Sequence, residues 1–213
     1  MIPSTAGPPV FVISPHYDDG VLSLGGLLAG LGARATLVTV FGGAPAGPRE
    51  PSAWDLRCGF ADPARAARAR ALEDERACRL LGVARIALPL PDNPYEEPGA
   101  TLDELSAFLG SGSVPGATVL VCAGIGNEDH ARVRAAVLHR RRTAAETLLY
   151  ADLPYAASHP AWGTPEAGAL VAAGLLAADP GARATTWCPR GCWARHWSSG
   201  GHGPTCRRRC GSR

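Results

Sequence analysis

A chain of 213 residues, 46% of them hydrophobic, carries enough apolar material for one sizeable core, so one domain with at most a tail is expected. A formal charge of +2, with basic residues scattered until the last few positions, gives no electrostatic reason to bind nucleic acid or a membrane surface. The first nine residues are Pro-rich and uncharged and no apolar run approaches bilayer length, so a cytoplasmic protein is expected. Of the seven cysteines, Cys58, Cys78 and Cys122 stand alone and the rest cluster late, which is not a disulfide framework for the main domain. Every basic residue is arginine, which, with abundant Ala, Gly and Pro, marks a GC-rich coding bias and not a mechanism.

In chain order, residues 10–13 are a continuous β-branched and aromatic run, the pattern of a buried parallel strand, and Ser14-Pro15 ends it because proline has no N–H to give. From Val21 onward Leu22, Leu24, Leu27, Leu28 and Leu31 recur at helical spacing, and Gly25-Gly26 allows close approach to a neighbour. Residues 35–41 read as a second strand. Residues 42–63 are rich in Gly and Pro and too long for an ordinary connection, as pocket walls often are. A helix over 64–81 ends at Gly82, a short third strand covers 85–88, and prolines set a loop over 90–99. A helix over 101–109, capped near Thr101 or Asp103, precedes a buried strand at 118–122, a polar cluster at 124–130 and a helix over 131–142. This alternation, from Val10 to about Leu153, predicts an α/β fold, a mostly parallel sheet with helices on both faces.

Chemistry concentrates in two places. His16-Tyr-Asp-Asp19, at the end of the first strand, offers an imidazole and a carboxylate three residues apart, ligand types that suit a divalent metal such as zinc, with Asp18 free to handle a proton. The plainer reading is a polar turn in which Asp18 or Asp19 caps the helix. The second place is Gly124-Ile-Gly-Asn-Glu-Asp-His130. In a doubly wound sheet, ligands bind outside the carboxyl ends of the strands, so both clusters can face one crevice, with His130 as third ligand. A lone histidine after a strand is also often structural.

The first stretch resembles the His-x-Asp-Asp signature of the LmbE-like, or PIG-L, family of zinc-dependent N-acetylglucosamine deacetylases, although Tyr17 stands where that family often has proline or leucine. The resemblance implies a Rossmann-like fold, zinc (Zn2+) on His16, Asp19 and His130, and Asp18 as general base. The family's His-x-Asp-His motif corresponds to Asn127-Glu128-Asp129-His130, with asparagine replacing a histidine placed to stabilise the oxyanion or assist proton transfer. An asparagine amide can donate to an oxyanion but is no acid. Asp129 either supports an imidazole from outside the metal shell or caps the helix. Arg70-Ala-Leu-Glu73 resembles the family's Arg-x-x-Glu, whose arginine reaches toward substrate, although Arg70 with Glu73 and Asp74 also reads as a solvated salt-bridge set. Asp92 falls where the family binds substrate, and Tyr155, in Tyr150-Ala-Asp-Leu-Pro-Tyr155, is either a pocket residue or a half-buried aromatic.

The match is clearest over residues 10–155, within a domain placed at 1–182. No closing strand or helix is legible beyond Ala156. The stretch 183–213 differs in kind, with Trp187, Trp193, Trp197, the pairs Cys188/Cys192 and Cys206/Cys210, and His196 and His202 between them. A disordered tail or out-of-frame sequence is expected there, with a small structural zinc site as the lesser alternative. The resemblance thus implies a zinc hydrolase removing the N-acetyl group of an N-acetylglucosamine-type sugar or sugar conjugate. Its rivals are a non-catalytic sugar- or nucleotide-binding module with a degraded site and another α/β hydrolase. A dinucleotide-binding enzyme is disfavoured, since no Gly-x-Gly-x-x-Gly follows the first strand.

Overall fold

The computed structural model describes residues 7–140 and 144–158 and the strand Leu176–Ala177. Its strands are β1 (Val10–Ser14), β2 (Ala35–Thr39), β3 (Ala84–Ala87), β4 (Thr118–Cys122), β5 (Glu146–Tyr150) and β6 (Leu176–Ala177). Its α-helices are α1 (Asp19–Leu31), α2 (Ala53–Arg57), α3 (Pro63–Leu81), α4 (Asp103–Leu109) and α5 (Glu128–His139). The apolar runs behave as expected: every side chain of β1 is buried, and Val12, Ile13, Leu37, Val38, Val119 and Val121 form the centre of the core. Each such side chain contributes about 1.5–3 kcal/mol by leaving water.

The strands pair in parallel in the order β3-β2-β1-β4-β5-β6, which is the Rossmann order. From the centre the chain steps outward one way through β1, β2 and β3, and the other way through β4, β5 and β6. Right-handed crossovers therefore put α1 and α3 on one face and α4 and α5 on the other, and α1 packs on α3 as α4 packs on α5. The two halves diverge between β1 and β4, which opens a crevice at their carboxyl ends.

Three features depart from the sequence reading. The long connection at 42–63 contains α2, capped by Ser52, whose Oγ accepts from Asp55 N at 3.0 Å. Helix α5 begins at Glu128, three residues before the expected start, because the Asn127 side chain caps it. A sixth strand, β6, pairs with β5 where no closing strand was legible. The boundary placed at residue 182 and the Cys/Arg/Trp-rich stretch 183–213 lie outside the described residues.

Beyond β2 the chain runs tightly beside residues 88–91: Phe41 bridges Pro89, Gly43 bridges Pro91, and Gly43 N donates to Leu90 O at 2.8 Å. A Cβ on Gly43 would stand 2.6 Å from the Pro89 carbonyl carbon, so only glycine permits this approach. The contact delivers Asp92 to the carboxyl end of the sheet. Gly43→Ala should cost about 1–3 kcal/mol through overpacking, which lowers the thermal midpoint by several degrees at roughly 2–4 °C per kcal/mol. Calorimetry checks this, and an unchanged midpoint would show that the two segments separate freely.

Candidate active site

The loop after β1 is folded by its own polar side chains. The buried Ser14 hydroxyl donates to His16 O at 2.5 Å and accepts from Gly20 N at 2.9 Å, which turns the chain from strand to helix within five residues. Asp19 does not act as a helix cap. Its Oδ2 accepts from His16 N at 2.9 Å and lies 3.1 Å from His16 Nδ1. Asp18 makes no capping bond either and is exposed.

The loop after β4 arrives from the other side of the switch point. Gly124 and Gly126 adopt positive φ values of 72° and 64°, a turn that residues with a Cβ resist. Asn127 Oδ1 then accepts from Asp129 N at 2.9 Å and His130 N at 3.3 Å, which fixes His130 in the first turn of α5. The His130 ring is fully buried. Its Nδ1 lies 2.8 Å from Asp152 Oδ2, which also accepts from Ile125 N at 3.2 Å. Its Nε2 faces Asp19 Oδ2 at 3.1 Å without hydrogen-bond geometry, so this buried nitrogen has no hydrogen-bond partner among the described residues.

An orphaned buried nitrogen aimed at a carboxylate is what a metal ligand requires. The donor atoms of His16, Asp19 and His130 all lie within 4.8 Å of one another. Donors about 2.0–2.2 Å from a tetrahedral ion stand roughly 3.3 Å apart, close to the 3.1 Å contacts of both imidazoles with Asp19. The electrostatics point the same way. Burial opposes the charge on Asp19, but the close approach of the His130 and His16 imidazoles overcomes it and holds the carboxyl far below its ordinary range. Burial likewise lowers the pKa of His16, yet Asp129, Asp19 and Asp92 push it up to about 12. His130 rises against its burial through Asp152 and Asp19. Asp18 stays exposed, yet partial desolvation by the surrounding protein, then the Asp19 charge, raise its pKa. The residues therefore fit a divalent cation.

Asp92, Asp129, Asn127 and Tyr155 also converge here, whereas Arg70 pairs with Asp55. Asp92 Oδ1 lies 3.3 Å from His16 Nε2 while accepting from Asn93 N at 2.8 Å. Asp129 Oδ2 is 3.7 Å from the same nitrogen, and its Oδ1 accepts from Asn93 Nδ2 at 3.2 Å and Arg132 at 3.1 Å. Asp129 thus borders His16, and the helix cap is Asn127. Asn127 Nδ2 donates to the Tyr155 hydroxyl at 2.8 Å, and the Tyr155 ring packs edge-on to His130 at 5.0 Å. Arg70 is not part of a solvated helix face: it pairs with Asp55 at 2.6 Å, while Asp74 pairs with Arg85 at 2.5 Å. Sequence reasoning assigned no role to Ser14, Asp55, Tyr95 or Asp152. Asp152 stands inside the quoted Tyr150-to-Tyr155 motif, but its function depends on β5 lying beside β4.

With this geometry in hand, the profile of the family described as PIG-L, GlcNAc-PI de-N-acetylase, matches residues 11–140. The chain is similar to the 2'-N-acetylparomamine deacetylase of Streptomyces fradiae, 36% identical over a 174-residue alignment that covers 68% of this chain and 57% of that protein. Among solved structures it is similar to the A40926 pseudoaglycone deacetylase, at 32% identity and a TM-score of 0.59, over 70% of this chain and 66% of that one. The zinc-inhibited form of a teicoplanin deacetylase is also similar, at 28% identity and a TM-score of 0.57, over 70% of this chain and 69% of that one. The chain thus spans 57% of the length of the Streptomyces relative. No described helix is long and apolar enough to cross a membrane.

If Asp152 sets the His130 tautomer and strengthens it as a donor, Asp152→Asn should weaken divalent-metal affinity about 10–100-fold. His130→Ala and Asp19→Ala should each remove most of the bound metal. Competition titration against a chromophoric chelator measures all three. Wild-type affinity in Asp152→Asn would make that carboxylate a packing group only.

Proposed function

Because the chain belongs to the PIG-L family of GlcNAc-PI de-N-acetylases, we propose that it is a zinc-dependent hydrolase that removes the N-acetyl group from an N-acetylglucosamine-type sugar or sugar conjugate. The observation that carries this reading is the convergence of His16 and His130 on Asp19 Oδ2, with the exposed Asp18 one residue before Asp19. His16, Asp19 and His130 would hold the zinc, and Asp129 would steady His16. Lewis acidity is what such an ion supplies when bound: it makes water nucleophilic at neutral pH and polarises an amide carbonyl.

The chain's own groups do the rest. Asp18 accepts the proton of the attacking water and returns it to the leaving amine. Its raised pKa makes it a better base than an ordinary surface carboxylate. Asn127 has two amide N–H bonds. One is held by Tyr155, and the second is a donor for the oxyanion. Arg70 and Asp92 bind sugar hydroxyls, and Tyr155 lines the opposite wall. The named relatives deacetylate amino-sugar compounds, 2'-N-acetylparomamine and the A40926 pseudoaglycone, which favours an acetylated amino sugar carried on a larger small-molecule conjugate as substrate.

Asp18→Asn should retain zinc yet lower acetate release by about 10²–10⁴-fold, measured with zinc-loaded protein against a panel of N-acetylated amino sugars. A near-wild-type rate in that variant would end the general-base assignment. Binding of zinc and sugar without any acetate release by the unmodified chain would favour the non-catalytic module instead. Asn127→His should then restore turnover if an acid is what the site lacks.

A further inference from the structure

Among the described residues the reaction above leaves two buried carboxylates unused, Asp74, which pairs with Arg85, and Asp55. Asp55 is completely buried, and it is the only buried side chain of α2, whose Trp54 and Leu56 are each 57% exposed. Apolar packing therefore does not hold this short helix in place. Its anchor is ionic: Asp55 Oδ1 accepts from Arg70 at 2.6 Å and Oδ2 accepts from the Tyr95 hydroxyl. The same hydroxyl accepts from Ser52 N at 2.7 Å. Three segments that are far apart in sequence, α2, α3 and the turn at 93–95, thus meet on one carboxylate.

Both groups proposed to bind sugar hydroxyls depend on that meeting point. Arg70 is one of the two donors to Asp55. Asp92 belongs to the turn that supplies the other, since Tyr95 N donates to Asp92 O at 2.8 Å. From Asp92 the connection continues to His16 Nε2 at 3.3 Å and, through Asn93, to Asp129 at 3.2 Å. A buried ion pair is a poor source of net stability, because well-packed apolar groups would hold the segments as well or better. Its value is directional, since the guanidinium fork can be held in one orientation.

We propose that Asp55 is a positioning residue that sets Arg70 and Asp92 in register with the metal-site histidine, so that sugar hydroxyls meet a preset pair of groups. This deepens the deacetylase reading and rests on it for the identity of the substrate. Asp55 touches neither substrate nor metal. Its loss should therefore weaken substrate capture and leave the chemical step alone.

The test compares Asp55→Asn, Tyr95→Phe, Arg70→Lys and the double variant Asp55→Asn/Arg70→Lys in the full zinc-loaded chain. On the best substrate of the panel, Asp55→Asn should raise KM about tenfold with kcat within about twofold, and zinc content should stay unchanged. Tyr95→Phe, which keeps the Arg70 pair, should raise KM by a smaller factor. The double variant should raise KM by less than the product of the two single effects, since coupled residues are not additive. Independently of turnover, the Arg70 guanidinium protons should give separate NMR signals in the wild type and in Tyr95→Phe, and averaged signals in Asp55→Asn. Unchanged KM in folded variants, additive effects in the double variant, or a fall in kcat accompanied by lost zinc would each overturn the proposal. If Asp55→Asn fails to fold, Tyr95→Phe still decides it by the same split, an unchanged KM overturning the proposal. If the wild type releases acetate from no sugar, the deacetylase reading falls, and unaltered Arg70 signals in Asp55→Asn would overturn the positioning role separately.

Discussion

A single oxygen, Asp19 Oδ2, lies within 3.1 Å of the backbone and ring nitrogens of His16 and of the ring of His130. Such a buried anion is costly unless opposite charge or strong donors surround it, and here those donors come from loops after two different strands. They meet only because β1 lies directly beside β4, with Val10 opposite Thr118 and Ile13 opposite Val121. A slip of one residue in that pairing would carry one loop about 3.3 Å along the sheet, enough to break the His130 contact to this oxygen. The register of the sheet and the chemistry of the site are therefore one constraint.

Around that oxygen the carboxylates of Asp18, Asp92, Asp129 and Asp152 crowd the same two imidazoles. The anions outnumber the cations even with both rings protonated, and Arg132 is shared with Glu96. The upward pull on His16 and His130 expresses this demand for positive charge. A divalent cation meets the same demand and displaces the protons as it binds. Asp152 behind His130 suits that exchange, since a carboxylate at Nδ1 would leave the Nε2 lone pair open to an ion.

The sheet was legible because strands buried on both faces leave an unbroken apolar signature, as residues 10–13 and 118–122 do. The grouping of His16, Asp19 and His130 was legible because all three stand just beyond strand ends. What local spacing could not reveal were partners across loops. Arg70 sits three and four residues from Glu73 and Asp74, which suggests helix-face pairing, yet it reaches Asp55 fifteen positions earlier. Asp152 and Tyr155 acquire roles only once β5 is placed against β4. The start of α5 was missed for a related reason. Glu128 and Asp129 carry no apolar periodicity, and the helix reaches back to them because Asn127 caps it.

Asn127 and Asp55 occupy corresponding places on opposite sides of the switch point. Asn127 joins the loop after β4 to the turn after β5 through Tyr155, and Asp55 joins the loops after β2 and β3 through Arg70 and Tyr95. Each wall of the crevice is thus closed by a polar clamp and not by apolar packing. Apolar clamps would press the walls together and expel water, whereas groups fixed by hydrogen bonds keep their remaining donors and acceptors turned toward a hydrated guest. A sugar, whose hydroxyls must exchange water for protein partners in full, is the kind of ligand that such walls suit. The asparagine at 127 follows the same logic: its amide caps α5 and braces Tyr155 at once, a pair of duties that needs both an acceptor oxygen and donor hydrogens on one short side chain.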